Sequence, residues 1–154
     1  MSGPNKNHYW LRYFLIILIL LQAVSGIAGG ILLVIDPSGT ALQMPLEILA
    51  GSPFKSFLVP GLILMIVLGI FPVFVLIGLV WKPGWEWANI LNIYQDHHWS
   101  RTYALYTGIM LVIWIIIQLQ IIKTQGVLHT IYALLGMAII MASLLPPVLK
   151  YYDE

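Results

Sequence analysis

The sequence predicts an all-α integral membrane four-helix bundle, with a short interfacial helix in its external loop and an amphipathic helix in its internal loop. Two observations carry that prediction. Charged residues make up 8% of the 154-residue chain and hydrophobic residues 60%. A soluble domain carries roughly 25% charge, so this chain cannot cover a solvated surface, and it is too apolar for disorder. The second observation is four charge-free runs, at 13–35, 56–81, 102–122 and 124–149. Each reaches the roughly 20 residues a helix needs to cross about 30 Å of hydrocarbon. Runs such as 15–21 (LIILILL) do not alternate as barrel strands would, and a helix pairs its own backbone groups in lipid. A single transmembrane domain over 1–154 follows, with spans at about 11–35, 57–81, 102–122 and 127–149.

The first apolar run has Lys6 and Arg12 ahead of it and Ala23-Val24-Ser25 within it, the arrangement of a signal peptide. Its apolar run continues to Ile35, too long for a signal core, so it is expected to stay as an anchor. The segment 36–56 opens with Asp36-Pro37-Ser38-Gly39, a strong turn sequence. Pro45-Leu46-Glu47-Ile48-Leu49 suits a short interfacial helix. Too apolar to float in water, this segment should fold back onto the bundle. The second span contains Pro60 and Pro72, where kinks are expected. In the loop 82–101, Pro83-Gly84 breaks the chain, and Trp87, Ile90, Leu91 and Tyr94 then recur at helical spacing, predicting an amphipathic helix over about 85–95. Lys123-Thr124-Gln125-Gly126 is a tight turn, so the last two spans form an antiparallel hairpin, and Pro146-Pro147 should bend or end the fourth.

Basic residues give an orientation. With the N-terminus inside, Lys6, Arg12, Lys82, Arg101 and Lys150 are cytoplasmic, and Lys55 and Lys123 are outside. This is the positive-inside pattern of an inner or plasma membrane protein with both termini in the cytoplasm.

Helical-wheel faces give three sets of candidate residues. Ser25, Gly26, Gly29 and Gly30 on the first span and Gly136 on the fourth are suited to close helix packing or self-association. Gln22, Trp114, Gln118, His129 and Tyr132, with Asp36 and Glu47 from the external loop, are a candidate ligand pocket towards the outer end. On a plainer reading, Gln22 and Gln118 hydrogen-bond between helices. Trp85, Trp87, Tyr94 and Trp99 are a candidate inner-interface or partner-docking set.

Chemical motifs are few. The net charge of +1 lacks the basic footprint of a nucleic-acid binder. With no cysteine, disulfides, thiolate metal sites and cysteine nucleophiles are excluded. His97-His98 reads as a solvated or headgroup-level pair rather than a metal site, because adjacent helical histidines diverge. His129 is the single histidine in any span, which argues against bis-histidine haem ligation. Asp36 reads as a turn residue and Glu47 as the wet side of a short helix rather than as a catalytic pair. No catalytic residue, cofactor or metal is therefore expected.

The motifs Gly29-Gly30, Asp36-Pro37-Ser38-Gly39, Met44-Pro45-Leu46, Ser52-Pro53-Phe54, Pro60-Gly61 and Trp114-x-x-x-Gln118 resemble those of a group of small four-span membrane proteins of bacteria and archaea. The resemblance runs from about Gln22 to Gly136. It implies the fold, and it carries no activity and no functional residue. The expectation for function is a non-enzymatic structural or accessory subunit that packs with itself or with a larger membrane complex. The alternative is a binding protein or carrier for a lipid-like or quinone-like ligand beneath 36–56.

Overall fold

A computed structural model describes residues 9–123 and 126–153. Five α-helices follow in order among the described residues: α1 (Tyr9–Ile35), α2 (Leu58–Trp81), α3 (Trp99–Ile122), α4 (Val127–Leu144) and the short α5 (Pro146–Tyr151). The first four are long and apolar enough to cross a membrane, and no strand occurs among the described residues. The chain is an all-α membrane four-helix bundle. α1 packs beside α2 and α4, and α3 beside α2 and α4, so sequence neighbours are antiparallel neighbours and the chain runs up and down. Both described ends of the chain lie at one end of the bundle with the 82–98 loop. The loop 36–57 caps the other end.

Lipid gives no gain for apolar burial between helices, so close backbone approach has to hold them. Glycines provide it at three points on two crossings. Gly26 faces the backbone of Leu68 and Gly69, Gly30 faces Met65 and Gly61, and Gly108 faces Gly136. The small-residue face of α1 is therefore filled by α2, and Gly136 by α3. Of the two roles expected of Gly26, Gly30 and Gly136, these contacts are the helix-packing one, and they leave no room for a second chain at the same atoms. Ser25 and Gly29 are half-buried at the edge of the same face.

Proline explains the middle of α2. Pro60 sits in its first turn, where no donor is needed. Pro72 has no N–H to offer the carbonyl four residues earlier, Leu68 O. The helix widens to a π turn at Ile66–Ile70, and Gln22 Nε2 on α1 donates to Leu68 O at 3.0 Å. A neighbouring helix thus satisfies the group the proline released, as hydrocarbon requires.

Three expected boundaries move. α4 stops at Leu144 rather than near 149, because Leu145 precedes Pro146 and is extended (φ −65°, ψ 132°). The expected helix over 85–95 is a 3-10 helix, Glu86–Leu91. α3 begins at Trp99, a turn before the expected 102, because His98 caps it.

The 36–57 loop does fold back. The Asp36 carboxylate accepts from Ser38 N at 3.2 Å, Ser38 Oγ at 2.5 Å and Ala41 N at 2.8 Å. These donors, the Ser38 hydroxyl first, hold its pKa below the ordinary carboxylate value. Gly39 takes φ 79°, and Phe57 N donates to Pro37 O at 2.9 Å. Leu49 and Phe57 are then buried against Leu33, with Ile121 of α3 packed alongside.

Candidate functional site

Residues 98–105, from the cap of α3 through its first two turns, are buried on every side. A helix enclosed all round is normally apolar all round, yet His98, Ser100, Arg101 and Thr102 are polar and at most 2% exposed. Their partners come from distant parts of the chain. His98 Nε2 lies 3.1 Å from Pro83 O, and its Nδ1 lies 2.8 Å from Ser100 Oγ and accepts from Ser100 N at 3.4 Å. A carbonyl only accepts, so the ring proton is on Nε2. Trp99 Nε1 donates to the same Pro83 O at 3.0 Å. Thr102 Oγ1 donates to Asn92 Oδ1, and Asn92 Nδ2 to His97 O at 2.9 Å. Tyr103 and Tyr106 hydroxyls donate to Ala88 O and Leu91 O at 2.7 and 2.8 Å.

Arg101 lies beneath this loop. Its Nε donates to Ser143 O at 3.2 Å, its guanidinium stacks 4.2 Å from the Tyr94 ring centre, and its Nη1 is buried without a partner. The chain's last described residues close the layer. Tyr152 is fully buried and donates to Leu79 O at 2.8 Å, and His98 N donates to Tyr152 O at 2.7 Å. Burial pushes the Tyr152 phenol up to about 12. His97 Nδ1 lies 2.5 Å from Asp153 Oδ1. His97 and His98 are therefore not a solvated pair: one meets a carboxylate and the other is core. Most of these hydrogen bonds end on backbone carbonyls, which holds a loop in place rather than poising a reactive atom.

A pinned loop results, with apolar side chains on its outer face. Ile90 is 81% exposed, Leu91 and Ile93 64%, and Trp87 58%. Trp85 stacks on Trp87, Phe74 and Trp99 at 5.6, 5.7 and 5.6 Å. Of the expected docking set, Trp85, Trp87 and Tyr94 belong to this face. Trp99 does not, because it is 1% exposed beneath them.

Three of the candidate ligand residues, Gln22, Trp114 and Tyr132, meet around Leu68 inside the bundle. Gln22 serves Leu68 O, with its Oε1 buried and unpartnered. Trp114 and Tyr132 pack with Leu68, Leu111 and Ile115 in the bundle. Asp36 is tied into its turn, Glu47 is exposed, and His129 Nδ1 accepts from Gly126 N at 3.2 Å, capping α4. Gln118 is half-buried and forms no side-chain hydrogen bond with another described residue, so the expected Gln22–Gln118 link across helices is absent. The groove that does exist beside the external loop has a volume of about 450 Å³. It runs between residues 50–54 and the end of α3, over Ile116, Ile117 and Ile121, with Gln120 and Lys123 also lining it. None of the seven expected pocket residues lines it.

No group of three or more His, Asp or Glu suited to a metal occurs among the described residues. The chain matches no family model, no curated protein and no solved structure.

Proposed function

We propose that this chain is a non-enzymatic accessory subunit of the inner or plasma membrane that holds a larger membrane partner through the face formed by Trp85, Trp87, Ile90, Leu91, Ile93 and Tyr94. The carrying observation is the pinning of that face from below. A loop that merely dips into the headgroup region has no need of buried hydrogen bonds from Thr102 and Tyr103, with a third from Tyr106 at its exposed edge. A docking surface does, because ordering it beforehand removes an entropic cost from binding. A partner of a different kind is favoured over a second copy, because the glycine faces are occupied within the fold. Arg12, Lys82, Arg101 and Lys150 lie at this end, and Lys55 and Lys123 at the other, which supports placing the docking face and both termini in the cytoplasm.

A photo-crosslinking side chain at position 90 tests this reading in native membranes. A discrete adduct with one heavier membrane protein is expected. The same group at Met141, which is 65% exposed on α4, should give lipid adducts. Ile90→Asp should weaken the association at least tenfold, as a central apolar contact worth about 2 kcal/mol would, with the melting transition unchanged. Lipid adducts alone at position 90, or an adduct with a second copy, would overturn the proposal.

The 450 Å³ groove favours a second reading, binding of one lipid-like or quinone-like chain. Its size falls in the range of about 300–1,000 Å³ typical of ligand sites. Ile117 is 42% exposed in its wall, so Ile117→Trp should fill the groove without disturbing the core. Mass spectrometry should then show a bound apolar molecule in the native protein and none in the variant. Equal occupancy in both would reject the reading.

A further inference from the structure

Arg12 and Lys82 converge on one ring. The Arg12 guanidinium lies 4.4 Å from the Tyr151 ring centre and the Lys82 ammonium 5.0 Å from it. Arg12 uses one edge on the protein: Nη2 donates to Leu79 O at 3.2 Å and Val80 O at 3.4 Å, and Nε to the Tyr152 hydroxyl at 3.4 Å. Lys82 spends one N–H on Tyr151 O at 3.0 Å. These carbonyls sit at helix C-termini, whose partial negative charge suits a cation, but a helix end offsets only about half a charge. No carboxylate lies within 4.0 Å of either cation among the described residues, where the one acid in such a contact is Asp153, beside His97. Among the described residues, therefore, two positive charges share one corner with no anion, and the Nη1 edge of Arg12 forms no hydrogen bond.

The depth of the corner is set by its neighbours. Trp10 is 61% exposed, Tyr13 56% and Trp81 72%. Tryptophan and tyrosine exposed at the end of spanning helices mark the headgroup level. The anion most abundant at that level is a lipid phosphate. We infer that Arg12 and Lys82, floored by Tyr151 and flanked by Tyr13, form a binding site for the phosphate of an anionic membrane phospholipid. The inference rests on the chain spanning the membrane, and it is independent of what docks on the 85–94 face. A lipid with net negative charge is preferred over a zwitterionic one, because an attached ammonium would be repelled by the uncompensated pair.

The experiment is native mass spectrometry of the detergent-purified chain with phosphatidylglycerol, phosphatidylcholine or inorganic phosphate added separately. Retention of one phosphatidylglycerol over phosphatidylcholine is expected, with inorganic phosphate neither binding nor displacing it. The Arg12→Gln, Lys82→Gln double variant should bind phosphatidylglycerol about 30-fold more weakly, from roughly fivefold per basic residue near a lipid surface. Lys55→Gln with Lys123→Gln at the opposite end should leave it unchanged. Arg12 also caps α2, so the double variant could lose its fold. Tyr13→Glu guards against that: Tyr13 is exposed and its ring lies 5.6 Å from the Arg12 guanidinium, so a carboxylate there neutralises the corner without touching the core. It should abolish the lipid preference with the melting transition intact. Equal retention of both lipids by the native chain, an unchanged preference in Tyr13→Glu, or inorganic phosphate binding as well as the lipid would each overturn the inference.

Discussion

Gly26→Ala should separate α1 from α2 and lower the stability of the bundle by about 3 kcal/mol or more, at the upper end of what overpacking costs. A Cβ at Gly26 would lie 2.1 Å from Leu68 O, 2.4 Å from Leu68 C and 2.8 Å from Gly69 N. All three are backbone atoms, so no rotamer change relieves the clash. Separation would also draw Gln22 Nε2 away from Leu68 O, leaving an unpaired carbonyl in hydrocarbon next to Pro72. Two controls isolate the effect. Gly29→Ala meets first Leu64 Cδ2, at 3.1 Å, a side-chain end that can yield, and Gly84→Ala meets nothing within 4 Å. In a denaturing-detergent titration followed by helicity, the midpoint should fall sharply for Gly26→Ala, slightly for Gly29→Ala and not at all for Gly84→Ala. Equal midpoints for Gly26→Ala and Gly29→Ala would refute the crossing described here.

Trp99→Ala should cost about 3–5 kcal/mol, the range for deleting a large buried aromatic. The indole is 1% exposed, stacks on Phe74 at 5.0 Å and Trp85 at 5.6 Å, and meets Tyr103 edge-on at 5.3 Å. It also lies over Gly78, where a Cβ would come within 2.5 Å of the ring. Little of the loss comes from moving apolar surface into water. Most comes from contacts that a void cannot replace and from the Nε1 bond to Pro83 O, which helps tether the loop. Faster proteolysis within 83–97 and collapse of the near-ultraviolet aromatic dichroism are the expected readouts. Trp87→Ala, removing a ring that is 58% exposed, should leave both nearly unchanged. If the two substitutions behave alike, Trp99 is not the keystone of that cluster.

The spans were legible because the charge-free runs are long and the folding code for crossing lipid is local. The fold-back of 36–57 was legible for a similar reason, since Asp36 and Gly39 specify their turn without help from distant residues. Arg101 was not. A basic residue before an apolar run reads as wet, and what covers it, Tyr94 and Ser143, comes from loop and helix positions that no periodicity links to it. Trp99 was misplaced in the same way: a tryptophan at a span end fits an interfacial belt and a core equally well. The pattern at Gly26 and Gly30 announces a close approach without naming the partner helix. A usable signal was present nonetheless. Pro72 frees Leu68 O, a lone glutamine at similar depth is a natural donor to it, and Gly61 and Gly69 on α2 offer matching small positions. The groove was not legible, because the approach of residues 50–54 to Ile116, Ile117 and Ile121 follows from the fold-back of the loop and from no periodicity in the sequence.

The burial of Tyr152 against Leu79, and its carbonyl bond to His98 N, make the residues after α4 part of the base of the bundle. A nascent chain halted at Leu144 already has all four of its long helices, yet lacks the residues that seal the basal layer over α3. A stop codon after Leu144 should therefore leave the spanning helices in place and loosen the base of α3, where Tyr152 would no longer accept from His98 N.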